Sequence, residues 1–248
     1  MVAFASIQIQ RGMTAHRIQF DQVQLSRPAE GAARLHFTLE PGAAVVVVGR
    51  NGAGKSTMLH TLAGLLAPQS GRVLLGDANI HSMPPSRRAQ RISLVTSTPP
   101  KPAGLTVADV MALGRRAGDG SGQLAELDAD LSAAGIAEWR KLPMDSLSDG
   151  MAQRVMVARA GVQSRSVMLL DEPTAFLDLV GREEVLQQMA HWKGDNRTLI
   201  VATHDLEAAA AAGWFTHWLH LHPGRDHGAT LHHAPLDVDA AKAALRAD

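Results

Sequence analysis

The 248-residue chain has no cysteine and no net charge, with 24 Lys and Arg against 24 Asp and Glu. Without cysteine, disulfide scaffolds, thiolate zinc sites and thiol catalysis are excluded. Such a composition suits a reducing cytosol. The charge balance argues against a dedicated nucleic-acid binder, which carries strong overall basicity. Long apolar runs are lacking too. The longest, such as residues 43–48, and runs like 167–170 fall far short of the ~20 that a membrane-spanning helix needs. The opening stretch MVAFASIQIQRGMTAHRIQF has no sustained apolar segment followed by a small-residue cleavage site, so no secretory signal is expected. Residues 1–12 add little pattern, which leaves Met13 as an alternative start. No internal repeat is visible. What the chain does have is 46% hydrophobic residues, enough for a sizeable core in one large domain or two small, tightly joined ones.

Residues 18–25 (IQFDQVQL) and 34–40 (RLHFTLE) alternate apolar and polar side chains, the pattern of half-buried strands. Residues 43–48 are continuously apolar and β-branched, as in a parallel strand buried on both faces. A glycine-rich turn follows, and residues 55–66 then carry apolar side chains at helical spacing, completing a strand–turn–helix unit. Strands are further expected at 71–75, 92–95, 167–170 and 199–202, with helices at 84–91 and 181–192. Residues 97–104 (STPPKPAG) concentrate proline and mark a boundary. From there to about 161 the chain is Ala- and Leu-rich with helical spacing, broken at 118–122 (GDGSG), and reads as a helical insertion. After Trp218 the pattern is irregular, with a last helix expected at 238–246.

Residues 49–57 read GRNGAGKST, a match to G-x-x-x-x-G-K-[ST]. Gly49, Arg50, Asn51, Gly52, Ala53 and Gly54 form a backbone curl whose N–H groups face phosphate oxygens, and the following helix adds its positive end. Lys55 reaches the β- and γ-phosphates, the Ser56 hydroxyl ligates Mg²⁺, and Thr57 closes the motif. The run at 167–170 ends in Asp171 and Glu172, at the strand terminus where α/β sheets place ligands. Asp171 is positioned to hold Mg²⁺ through water and Glu172 to polarise an attacking water. Alone, such a pair is the acidic end of a surface strand; beside a phosphate loop it reads as catalytic. Residues 147–154 (LSDGMAQR) precede a helical run. Ser148 and Gly150 there start a second anion-binding helix that has no lysine, although an ordinary Ser/Asp cap fits the same residues. One phosphate loop and a separate anion-binding helix start imply a nucleotide shared between two subunits.

Taken in order, GRNGAGKST, LSDGMAQRVMVARA, VMLLDEPTAFLD and VATHD resemble an ABC-transporter ATP-binding subunit, from about Phe20 to Trp218. The resemblance implies an α/β fold: a P-loop NTPase, RecA-like core (residues 14–96 and 164–222), an inserted α-helical subdomain (about 97–163) and a C-terminal tail (223–248). It implies ATP and Mg²⁺ as ligands, and a head-to-tail homodimer in which Ser148 and Gly150 of one copy close over phosphates held by the other. By the same resemblance Asp178 is an aspartate at the dimer seam. His204 is the switch histidine that contacts the γ-phosphate and steadies Glu172; by itself it is a strand-end surface histidine. The implied partners are transmembrane permease subunits and, indirectly, a substrate-binding protein, with no nucleic acid. The implied place is the cytoplasmic face of the membrane.

Three departures from the family pattern stand out. A glutamine is usual in the loop that links the core to the helical subdomain, after an apolar strand, where this chain has Ser97, next to Thr96; either hydroxyl is expected to take that role at Mg²⁺, with a shorter reach. Asp149 and Met151 stand where glycine and glutamine are commoner. No aromatic occupies the base-stacking place near residues 25–28 (LSRP), leaving the guanidinium plane of Arg27 to stack. LSDG, DEPTAFLD, the loop without glutamine and VADVMALGR (107–115) further resemble ATPases of ferric-siderophore, haem and cobalamin importers. An exporter ATPase and a soluble, non-transport ABC ATPase are the alternatives. Six of the twelve histidines fall at 217–233, without metal-ligand spacing, and are expected in a solvated tail. The basic run 87–91 is expected to be a solvated helix face.

Overall fold

The structure, a computed structural model, describes residues 16–26, 34–118, 124–163, 166–194, 196–222 and 228–247. The possible start at Met13, the base-stacking candidate Arg27 and most of the glycine-rich break at 118–122 lie outside them. Two sheets organise the molecule. The first is antiparallel and holds β1 (Ile18–Gln24), β2 (Leu35–Leu39), β4 (Ser70–Leu75) and β5 (Ala78–Asn79) in the order β2-β1-β4-β5. The second holds β3 (Ala44–Val48), β6 (Ile92–Val95), β7 (Val167–Asp171), β8 (Thr198–Ala202), β9 (His217–Leu221) and β10 (Ala229–His232) in the order β10-β9-β3-β8-β7-β6. It is parallel except for β10.

The unbroken apolar runs are the centre of this second sheet. All five residues of β3, β7 and β8 are buried, because the sheet is covered on both faces. Alternation divides β3 between two cores. Ala44, Val46 and Val48 face the helical side with Val155, Met189 and Trp192. Val45 and Val47 face Phe20, Val73, Met58 and Leu62, on the antiparallel sheet and α1 (Lys55–Leu62).

The short helix α2 (Pro85–Arg91) buries no residue, as its run of arginines implies. Between β6 and β7 the chain passes through α3 (Val107–Gly118), α4 (Leu124–Ala133) and α5 (Asp149–Gln163). A reciprocal cap starts α3: the Thr106 N–H donates to Asp109 Oδ2 at 2.9 Å and the Asp109 N–H to Thr106 Oγ1 at 3.2 Å. Its stripe Val107, Val110 and Met111 enters the main core. Buried Arg115 ties α3 to α4 through Asp130 and Glu126. Helices α6 (Leu179–Gly194) and α7 (Leu206–Ala212) complete this same helical-side core. At Gly161 a Cβ would fall 2.3 Å from the Trp192 ring, so glycine alone allows α5 to lie this close to α6.

The C-terminal part differs from expectation. β9 and β10 are regular strands where the sequence pattern is irregular, and the sheet extends past residue 222 to β10; the last helix, α8 (Val238–Ala247), follows as expected. Histidine, read as polar, disguised β9. Trp218, Leu219, His220 and Leu221 are all buried because β9 pairs with the central β3. Trp218 stacks on His232 of β10 with ring centroids 3.7 Å apart and planes 3° from parallel. His217 meets His233 edge-on at 5.0 Å. His217, His220 and His232 belong to a packed hairpin rather than a solvated tail, His233 is exposed at its edge, and His227 lies outside the described residues. Among the described residues no His/Cys/Asp/Glu group is placed to hold a metal, and no helix is long and apolar enough to cross a membrane.

Candidate functional site

Parallel register assembles the site. Val47 pairs with Ala202 and Ala202 with Asp171, so β3, β8 and β7 end side by side. Each apolar run stops at the same level and gives way to reactive groups: the glycine loop after β3, Asp171 and Glu172 at the end of β7, His204 after β8.

The loop turns on Gly52 (φ 85°) and Gly54 (φ 97°), left-handed conformations that an L side chain adopts only with strain. Gly49 lies against the next strand, where a Cβ would stand 3.0 Å from the Leu221 carbonyl oxygen. Helix α1 then begins at Lys55 with no side-chain cap and no acid in its first turn, leaving its N-terminal N–H groups to an anion. Lys55 is only 8% exposed. Its Nζ donates to the carbonyls of Gly49 at 2.6 Å and Arg50 at 3.2 Å. Burial lowers its pKa, and the carboxylates of Glu172 and Asp171 oppose that shift. Ser56 is exposed, as are Arg50 and Asn51, whereas Ala53 and Thr57 are half-buried. Leu25 reaches the loop from the β1 side, with Cδ1 3.2 Å from where a Gly54 Cβ would stand.

Asp171 is buried at the end of β7. Glu172 adopts φ 49°, a left-handed conformation that for a non-glycine residue costs ~1–3 kcal/mol and concentrates at functional sites. Its N–H donates to the Ala202 carbonyl at 2.8 Å, which holds the strained residue against β8. His204 Nε2 lies 3.3 Å from Glu172 Oε1, and the His204 N–H donates to Oε2 at 3.4 Å. Oε1 is buried and accepts no hydrogen bond of good geometry, so it retains capacity for a proton or a water. Burial raises the pKa of Glu172; the His204 imidazole is the main opposing influence.

On α5, Ser148 Oγ accepts the Met151 N–H at 3.2 Å and so caps the helix. A Cβ on Gly150 would lie 2.7 Å from the Phe176 carbonyl oxygen, which places residues 147–150, the signature turn, directly on the loop after Glu172. Asp178 Oδ1 accepts the Gly181 N–H at 2.8 Å, capping α6. The neighbouring Phe176, Leu179 and Val180 are exposed at 57%, 73% and 63%. Val95 pairs with Leu170, so Thr96 and Ser97 follow β6 level with Asp171 and Glu172. The Thr96 hydroxyl donates to the Thr98 carbonyl at 2.8 Å; Ser97 is half-buried.

Sequence reasoning missed Gln153. It is fully buried, and its Nε2 donates to the Glu172 carbonyl at 3.3 Å while its Oε1 has no hydrogen-bond partner. The available signal was one amide side chain four residues before Val157, on the face of α5 that enters the core.

The residues present fit a nucleoside triphosphate with Mg²⁺: among the described residues there is an uncapped helix start, a buried amine held by loop carbonyls alone, and a carboxylate oxygen without a donor. A sequence profile of the family described as ABC transporter matches residues 32–175. The chain belongs to that family and carries the ATPase core of its ATP-binding subunits. It is 35% identical over 192 residues to the iron(3+)-hydroxamate import ATP-binding protein of Bacillus subtilis (strain 168), covering 75% of this chain and 70% of that protein. It is 34% identical over 221 residues to a cobalamin import ATP-binding protein of Halobacterium salinarum, covering 86% of this chain but only 54% of that protein. Its fold matches a dimeric ATP-binding cassette in a post-hydrolysis state bound to ADP and Pi, with TM-score 0.72 and 24% identity, covering 84% of this chain and 95% of that one.

Proposed function

We propose that the chain hydrolyses ATP to power a membrane importer, and that two copies share each nucleotide. The phosphates sit on residues 49–57, where backbone N–H groups and the α1 terminus favour an anion. Lys55 exchanges the Gly49 and Arg50 carbonyls for the β- and γ-phosphates. Ser56 and Asp171 would hold Mg²⁺, with the Ser97 or Thr96 hydroxyl as a further ligand. When bound, the ion neutralises charge on the phosphate oxygens.

Glu172 orients a water in line with the γ-phosphate and takes its proton, a role that its raised proton affinity suits. His204 holds the carboxylate and faces the γ-phosphate; together with Lys55 it stabilises the developing charge. Ser148 and Gly150 of the second copy close over the phosphates, Asp178 lies at the seam, and Arg27 stacks on the base. Closure draws the helical subdomains (about 97–163) together and moves a transmembrane permease, which a substrate-binding protein supplies. The chain works at the cytoplasmic face of the membrane, without nucleic acid. The named importers among its relatives support an iron complex or cobalamin as cargo.

The observation that carries this reading is the gripped carboxylate of Glu172 beside Lys55. Glu172→Gln with Mg·ATP is expected to give a stable dimer in size-exclusion chromatography and solution scattering. A variant that stays monomeric at saturating ATP overturns the shared site. Co-expression with a permease is expected to raise the slow ATPase rate of the isolated chain.

A further inference from the structure

The start of α5 poses an electrostatic problem. A carboxylate at Asp149 suits the positive end of its own helix, yet the same turn carries Ser148 and Gly150. An acid there repels any phosphate that approaches them. The structure holds a counter-charge at this place. Lys101 Nζ lies 2.6 Å from Asp149 Oδ1 and also donates to the Leu147 carbonyl at 2.8 Å.

Lys101 comes from the loop between β6 and α3, where Pro99, Pro100 and Pro102 surround it and restrict the backbone that carries it. Its side chain is 28% exposed. One amine therefore neutralises Asp149 and ties the loop bearing Ser97 to the turn that caps α5.

We infer that Lys101 is a positioning residue for nucleotide closure: it cancels the Asp149 charge and keeps the signature turn acceptable to a triphosphate held by a second copy. This rests on the shared-site reading above. An acid at position 149 is then tolerated only with a cation at 101, and the link makes the loop after β6 and the signature turn move as one unit.

The test measures the ATP concentration that half-dimerises Glu172→Gln, with and without Lys101→Met, and KM and kcat for ATP in the otherwise unaltered chain. Lys101→Met is expected to raise both the half-dimerising concentration and KM about fivefold, with kcat little changed, and the deficit shrinks as salt rises. Lys101→Arg is expected to retain the parent values, and Lys101→Met with Asp149→Gly to return within about twofold of them, because no charge is then left to cancel. If Glu172→Gln dimerises with ATP but ignores Lys101→Met, the inference fails alone. It fails equally if Asp149→Gly brings no recovery, since the lysine would then act only as a loop tether. Should Glu172→Gln itself never dimerise, the shared site falls and this inference with it.

Discussion

His204 meets both carboxylate oxygens of Glu172: its backbone N–H donates to Oε2 at 3.4 Å, and its ring Nε2 stands 3.3 Å from Oε1 without a hydrogen bond of good geometry. Two strand ends, brought level by the pairing of Asp171 with Ala202, thus converge on one acid. Because the backbone of Glu172 is left-handed, its side chain leaves the strand direction and turns to face the neighbouring loop.

That acid is held at a cost in stability. Burial raises its proton affinity, so the folded chain keeps the proton to a higher pH than the unfolded chain does. Stability falls as pH rises from the ordinary carboxylate range through the raised value. Glu172→Gln, which never ionises, is expected to be more stable than the parent at neutral pH, with the gap closing as pH drops through the carboxylate range. Thermal unfolding of both forms across that range reads the difference. A gap independent of pH contradicts the assignment.

Gln153 supports Glu172 from behind, through the main chain. Gln153→Leu removes the amide donor while also removing the unpartnered Oε1, so its net effect on stability is expected to stay within about 1 kcal/mol. The strained conformation of Glu172 loses a restraint. Steady-state ATPase assays are expected to show kcat reduced about tenfold, ~1.4 kcal/mol in the barrier, with KM near the parent value. A larger change in KM than in kcat speaks against this role.

Gly150 has no room for a side chain beneath the Phe176 carbonyl. Gly150→Ala is expected to push the start of α5 off that loop, at a cost of ~1–3 kcal/mol in urea unfolding. It is also expected to weaken the ATP-dependent dimer of Glu172→Gln. An unchanged unfolding midpoint denies the close approach.

The histidine-rich hairpin predicts acid sensitivity. Burial lowers the proton affinity of His217, helped by His233, and that of His232, helped by His222. The folded state therefore prefers these rings neutral, and their contribution to stability is present above ~pH 6.5 and is lost as pH falls below it. His232→Phe keeps a ring to stack on Trp218 but cannot be protonated. Its melting temperature is expected to fall less than the parent's on going from neutral to mildly acidic buffer. An equal fall in both proteins places the acid sensitivity elsewhere.

Much of this was legible in the chain itself, because it depends on neighbours a few residues apart. Glycine spacing and the lysine after it define the phosphate loop. The unbroken apolar runs that became β3, β7 and β8 declare a sheet covered on both faces, and the acids closing β7 mark where ligands meet it. Strand β9 escaped because histidine has no fixed polarity in a pattern; only pairing with β3 made its side chains interior.

The partnerships of the site depended on contacts distant in sequence. Parallel strands joined by long crossovers have a register that no local pattern specifies. That register set His204 beside Glu172, while the packing of α5 against the core brought Gln153 behind it. The proline-bounded loop set Lys101 against Asp149, turning an acid that looked out of place into half of an ion pair. Local composition determined which chemical groups the protein owns; the folded chain decided which of them touch, since charge and hydrogen bonding act only across the few ångströms that tertiary packing closes.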